Sequence, residues 1–86
     1  MSVVLIIDDV AAMRDQYAYD LERLGGFETM TAAGGSAGLT TLAAEPVDCV
    51  ILDLEMPGVD GFEVLATLKR KGNRIPIIVY TGTGSY

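Results

Sequence analysis

Val3 to Ile7 is an unbroken apolar run, β-branched at most positions, as in a strand covered on both faces. From Ala11 the spacing becomes that of a helix. Met13, Tyr17, Leu21 and Leu24 mark one face, and Arg14, Asp15, Asp20, Glu22 and Arg23 fall elsewhere. Gly25-Gly26 supplies a left-handed stop. The segment 27–32, "FETMTA", is a short strand with mixed patterning, and a Gly34-Gly35-Ser36 turn leads into a second helix near 36–45. Leu39, Leu42 and Ala43 are its core residues; Gly38 costs it ~1 kcal/mol against alanine. Pro46 closes that helix, and 47–52 is a third strand, again apolar on both faces. A third helix begins after Asp60, which serves as N-cap with Glu63 at the third helical position. Its expected buried stripe is Phe62, Leu65 and Leu68, and Lys69, Arg70 and Lys71 complement the dipole of its last turn. The fourth strand is 76–80, "PIIVY", with Pro76 at the strand start, where proline does no harm.

The resulting order, β-α-β-α-β-α-β, predicts an α/β fold with right-handed crossovers and a doubly wound parallel sheet in one domain, residues 1–86. Half of the residues are hydrophobic, enough for a folded core. The net charge of −6 argues against nucleic-acid binding, which asks for a basic face. The single cysteine, Cys49, lies in an apolar run and reads as an inert core residue of a reducing compartment. The N-terminus, "MSVVLIIDD", has no basic region or long apolar stretch, and no segment nears the ~20 apolar residues of a membrane helix. A cytoplasmic protein without membrane contact is expected.

Polar chemistry changes the picture at the strand ends. Asp8 and Asp9 follow the first strand, Asp53 the third and Thr81 the fourth. In a doubly wound sheet these ends share one edge, where the ligand crevice lies. Three carboxylates there repel one another unless a cation joins them. Mg2+ suits an all-oxygen site, whereas a chain with no histidine and one cysteine cannot build a structural zinc site. A carboxylate beside Mg2+ can attack a phosphoryl group and form an aspartyl phosphate. Each acid alone reads as an ordinary loop or cap residue; three together do not.

The motifs "VLIIDD", "VILDLEMPGVDG" and "PIIVYTG" resemble, in register over residues 1–86, the receiver domain of bacterial two-component response regulators. The resemblance implies a flavodoxin-like fold, a phosphorelay role and Asp53 as phosphoacceptor for a histidine kinase. It also implies Mg2+ held by Asp9 directly, by Asp8 through water, by Asp53 and by the backbone carbonyl of Glu55. Thr81 would bond a phosphoryl oxygen, the amides of Leu54 and Gly82 would meet the others, and Met56 and Pro57 would shape the loop.

Against that pattern the chain has four strands and three helices, without the fourth helix, the fifth strand with its lysine, or the last helix. Lys69 and Lys71 lie toward the opposite edge, so they do not replace that lysine; Arg14 is nearer the crevice. The fourth strand, 76–80, becomes an apolar edge, from which a homodimer or oligomer is expected; the alternative is a fragment of a longer regulator whose remainder completes the domain. The function implied is that of a phosphoacceptor module, not an enzyme beyond its own phosphorylation and dephosphorylation. The alternatives are a phosphorylation-impaired interaction module on a receiver half-fold and, with Glu55 as general acid, a Mg2+-dependent phosphohydrolase.

Overall fold

The computed structural model describes residues 2–54, 56 and 61–80. Its elements are β1 (Val3–Ile7), α1 (Ala11–Gly25), β2 (Glu28–Ala32), α2 (Gly35–Ala44), β3 (Cys49–Asp53), α3 (Gly61–Arg70) and β4 (Ile77–Tyr80). The four strands form one parallel sheet in the order β2-β1-β3-β4. Strand β3 starts later than its apolar run and extends through Asp53, so the acid belongs to the strand itself.

The two apolar runs are buried on both faces because the helices split between the faces. Val4, Ile6 and Ile51 pack under Tyr17, Ala18 and Leu21 of α1. Leu5, Ile7, Val50 and Leu52 point the other way, toward Leu39 and Leu42 of α2 and Val64 and Leu68 of α3. This period-two division accounts for uninterrupted apolar runs in β1 and β3. Cys49 joins the α1 side only half-buried, so it lines the rim of the core and is not a core residue.

Four expected core positions are corrected. Leu24 is 76 % exposed and Met13 is also exposed, so the buried face of α1 is confined to its middle. The 15-residue helix is ~22 Å long and the five-residue strands beneath it ~16 Å, so both helix ends overhang the sheet. Phe62 is 64 % exposed, and the buried face of α3 is Gly61, Val64 and Leu68. That set keeps the i, i+3, i+7 spacing through a glycine, whereas choosing the largest apolar residues shifts the stripe about 100° around the helix. Ala43 is exposed, and α2 instead buries Gly35 and Gly38. A Cβ at Gly38 would come within 2.4 Å of Ile7 Cδ1, so the glycine lets α2 sit close on β1.

The left-handed stop of α1 is at Gly26, with φ 67°. Asp60, expected to cap α3, lies outside the described residues. Among the described residues no helix is long and apolar enough to cross a membrane.

Candidate functional site

The carboxyl edge of the sheet collects the acids. Asp8 continues from β1, its amide donating to the Ala32 carbonyl at 3.1 Å, so the chain stays in register with β2 just beyond the strand. Asp53 ends β3 in register with Tyr80 of β4, and the Leu54 amide donates to the Tyr80 carbonyl at 2.9 Å. Ladder bonds therefore fix the backbone on both sides of the site. Asp8 and Asp53 are 0 % and 1 % exposed, and Asp9 is exposed. One carboxylate oxygen from each of Asp8, Asp9 and Asp53 lies within 4.8 Å of the others. The three acids expected to converge do so.

Gly61 opens α3 against the strand end. A Cβ there would lie 2.4 Å from Leu54 Cα and 2.5 Å from the Asp53 carbonyl oxygen. Those are backbone atoms, so glycine is required for helix and strand end to meet. Met56 is buried in the core with Leu5, Leu52 and Val64, which anchors the chain just after the acid. Leu54 is half-buried, and its amide, expected to meet a phosphoryl oxygen, instead donates to the Tyr80 carbonyl, because the ladder with β4 continues one residue past Asp53. Glu55, Pro57, Thr81 and Gly82 lie outside the described residues, and so do the roles expected of them.

Each oxygen of Asp8 has a protein donor. The Val10 amide donates to Oδ1 at 2.8 Å, and the Tyr80 hydroxyl donates to Oδ2. Arg14 donates from Nη1 to the Asp8 carbonyl at 2.9 Å, which holds its guanidinium at the crevice rim. Lys69 sits in the last turn of α3, away from the strand ends. The Tyr80 phenol is pushed well above its ordinary pKa, first by burial and then by its hydrogen bond to Asp8 and the charge of Asp8, with Asp53 and Tyr17 adding to the shift. Tyr80 therefore stays a hydroxyl donor.

The donor set fits a hard divalent cation. Three carboxylates offer only oxygen, two of them are withdrawn from solvent, and their mutual repulsion falls when a cation enters. Each engaged oxygen of Asp8 keeps a second lone pair for a ligand or a bridging water.

Sequence reasoning missed the Tyr80 contact, which joins residues 72 apart in the chain. A signal was present. In parallel register Tyr80 stands beside Asp53, and a tyrosine ending an apolar run at the polar edge must find a partner for its hydroxyl.

Residues 4–86 match the family model described as the response regulator receiver domain. The chain is 37 % identical over 81 residues to the transcriptional regulatory protein FixJ of Bradyrhizobium diazoefficiens, covering 94 % of this chain and 39 % of that protein. It is 34 % identical over 82 residues to the response regulator MprA of Mycolicibacterium vanbaalenii, covering 95 % of this chain and 35 % of the relative. The chain thus spans less than half the length of these relatives. Among solved structures, the response regulator protein TrrA of Thermotoga maritima in complex with Mg(2+)-BeF superposes with a TM-score of 0.84 at 34 % identity, covering 100 % of this chain and 74 % of that one. The structure of TrrA in complex with the histidine kinase ThkA gives a TM-score of 0.88, also at 34 % identity, over 100 % of this chain and 73 % of that one.

Proposed function

The chain belongs to the response regulator receiver domain family, a family of signalling proteins, and on that premise we propose that Asp53 is its phosphoryl acceptor in a cytoplasmic phosphorelay. The observation that carries the proposal is the meeting of three carboxylates within 4.8 Å, with Asp53 almost fully buried at the end of β3. An oxygen of Asp53 attacks the phosphorus of the donor. With a kinase phosphohistidine, the new P–O bond forms as the P–N bond breaks, and the imidazole leaves with the electron pair and takes up a proton. The product is an acyl phosphate on Asp53.

Asp8, Asp9 and Asp53 would hold Mg2+ together with the backbone carbonyl of Glu55. When bound, Mg2+ offsets the charge of the phosphoryl oxygens during transfer. The protein's own part is positioning. The Leu54–Tyr80 ladder bond and the tight approach of Gly61 hold the Asp53 backbone rigid, so the nucleophile is aimed before the donor arrives. The Thr81 hydroxyl and the amide of Gly82 are assigned to the phosphoryl oxygens; the Leu54 amide is committed to the Tyr80 carbonyl and does not join them.

The donor partner is proposed to be a histidine kinase; the kinase complex of TrrA supports that choice. A second copy of the chain is proposed to pair along β4. Ile78 and Val79 are exposed there, and among the described residues β4 has only β3 as a strand neighbour. A sedimentation mass that stays monomeric at all concentrations would remove the pairing and leave the phosphoryl chemistry intact.

Acetyl phosphate or beryllium fluoride with Mg2+ tests the chemistry. An adduct on the wild-type chain, seen by mass spectrometry or by 19F resonance and absent from Asp53→Asn, is the expected result. An adduct that survives in Asp53→Asn assigns the acceptor elsewhere.

A further inference from the structure

The acid cluster contains a hydroxyl that phosphoryl transfer does not call for. Tyr80 ends β4, reaches past β3 and donates its phenol proton to Asp8 Oδ2. The other face of this arrangement is aromatic: the Tyr80 ring meets Tyr17 of α1, with centroids 5.3 Å apart and planes at 50°. One side chain therefore links an acid of the cluster, the edge strand and the helix covering that face of the sheet.

The charge balance at Asp8 gives this link a consequence. Asp8 is fully buried, so its hydration is replaced by two protein donors, the Val10 amide and the Tyr80 hydroxyl. A donor facing an ionised acceptor is among the stronger hydrogen bonds, and here it supplies positive charge density where three acids crowd. A divalent cation satisfies the same need far more strongly. Once the carboxylate's electron density turns toward a cation, the phenol proton loses attraction and faces a positive ion. The two partners of Asp8 therefore oppose each other, and linkage makes the opposition mutual.

We infer that the Tyr80 hydroxyl is a positioning group that competes with Mg2+ for the charge of Asp8, so that cation binding loosens the Tyr80–Asp8 hydrogen bond and is felt at Tyr17 on α1 and at the β4 edge. This rests on the reading that Asp8, Asp9 and Asp53 hold Mg2+. A hydroxyl that merely braced the fold would leave affinity unchanged or lower it when removed. A competitor raises affinity when removed.

Calorimetric titration of Mg2+ into wild type and Tyr80→Phe distinguishes the two, since phenylalanine keeps the ring against Tyr17. The expected result is a Kd for Tyr80→Phe roughly three- to tenfold below that of wild type, the share of one charge-assisted bond that binding gives up. Equal or weaker binding by Tyr80→Phe overturns the inference.

A second reading needs no variant. The chain has four tyrosines and no tryptophan, so tyrosine signals are unmasked. Mg2+ should change the tyrosine ultraviolet difference spectrum of wild type, and a flat spectrum at saturation overturns the inference even if Tyr80→Phe fails to fold. If wild type binds Mg2+ but these tests fail, only the role of Tyr80 falls. If wild type binds no Mg2+, the metal reading falls with it.

Discussion

Both edges of the sheet carry aspartates, and they treat them differently. At the amino edge, exposed Asp48 accepts the Val3 amide on Oδ2 at 2.7 Å, while its own amide donates to the Val3 carbonyl at 2.8 Å. That reciprocal pair closes the start of β1 with a solvated charge, and among the described residues Asp48 belongs to no cluster of three acids. At the carboxyl edge, Asp8 and Asp53 are buried and lie with Asp9 in one cluster. The residue type is the same, so the identity of an acid beside a strand says little. Burial and crowding separate a backbone clamp from a charged site kept at a cost to the fold, and four substitutions probe that separation.

The largest effect is expected where backbone meets backbone. Gly61→Ala sets a methyl group against Leu54 Cα and the Asp53 carbonyl, at distances no real Cβ tolerates. Alanine gains up to ~1 kcal/mol in helix propensity, but the forced shift of helix or strand end costs about 1–3 kcal/mol, so a net loss is expected. Urea denaturation measures it. The same variant should form the phosphoryl-analogue adduct more slowly, because the displaced backbone carries Asp53. Normal stability with normal adduct formation would mean that the carboxyl edge is no more constrained than the amino edge.

A matched pair of acid substitutions inverts the sign between the edges. Asp48→Ala loses one accepted hydrogen bond and should cost about 1 kcal/mol. Asp53→Asn removes a buried charge from a cluster of like charges, and in the presence of a chelator should stabilise the fold by about 1 kcal/mol. Added Mg2+ should raise the Tm of wild type and Asp48→Ala alike, and of Asp53→Asn less. Loss of stability at both edges would show that the carboxyl-edge acids are clamps like Asp48.

The same contrast explains what could be read without coordinates. Strands β1 and β3 were legible because helices cover both of their faces, so burial needs no alternation. The convergence of Asp8, Asp9 and Asp53 followed from topology, since every strand of a parallel sheet ends on the same side. What stayed hidden depended on lengths and sizes in three dimensions. Leu24 overhangs a sheet shorter than its helix, and Phe62 yields its place to Gly61 because a helix meeting backbone needs the smaller residue. The Tyr80–Asp8 bond spans two strand spacings, which no local pattern records. Asp48 is hidden for the opposite reason: it falls within the run 47–52 that reads as a strand, and its value lies in one distant amide.

The smallest change in stability is expected at Asp9, and it sharpens the comparison most. Asp9 belongs to the cluster by distance yet is exposed, so by burial it resembles Asp48 and by neighbours it resembles Asp53. Water already solvates its charge, so Asp9→Asn with chelator present should alter stability by less than ~0.5 kcal/mol in either direction. Neutralising one of three carboxylate ligands should nevertheless weaken Mg2+ binding by about tenfold or more, because affinity for a hard cation tracks the number of charged ligands. Titration calorimetry beside a chelator-treated melt separates the two quantities in one preparation. If Mg2+ affinity is unchanged while stability falls by an amount like that for Asp48→Ala, then Asp9 is a clamp that happens to stand near the cluster. The cation would then have only the two buried acids as side-chain ligands, and neighbours alone would not suffice to mark a functional acid.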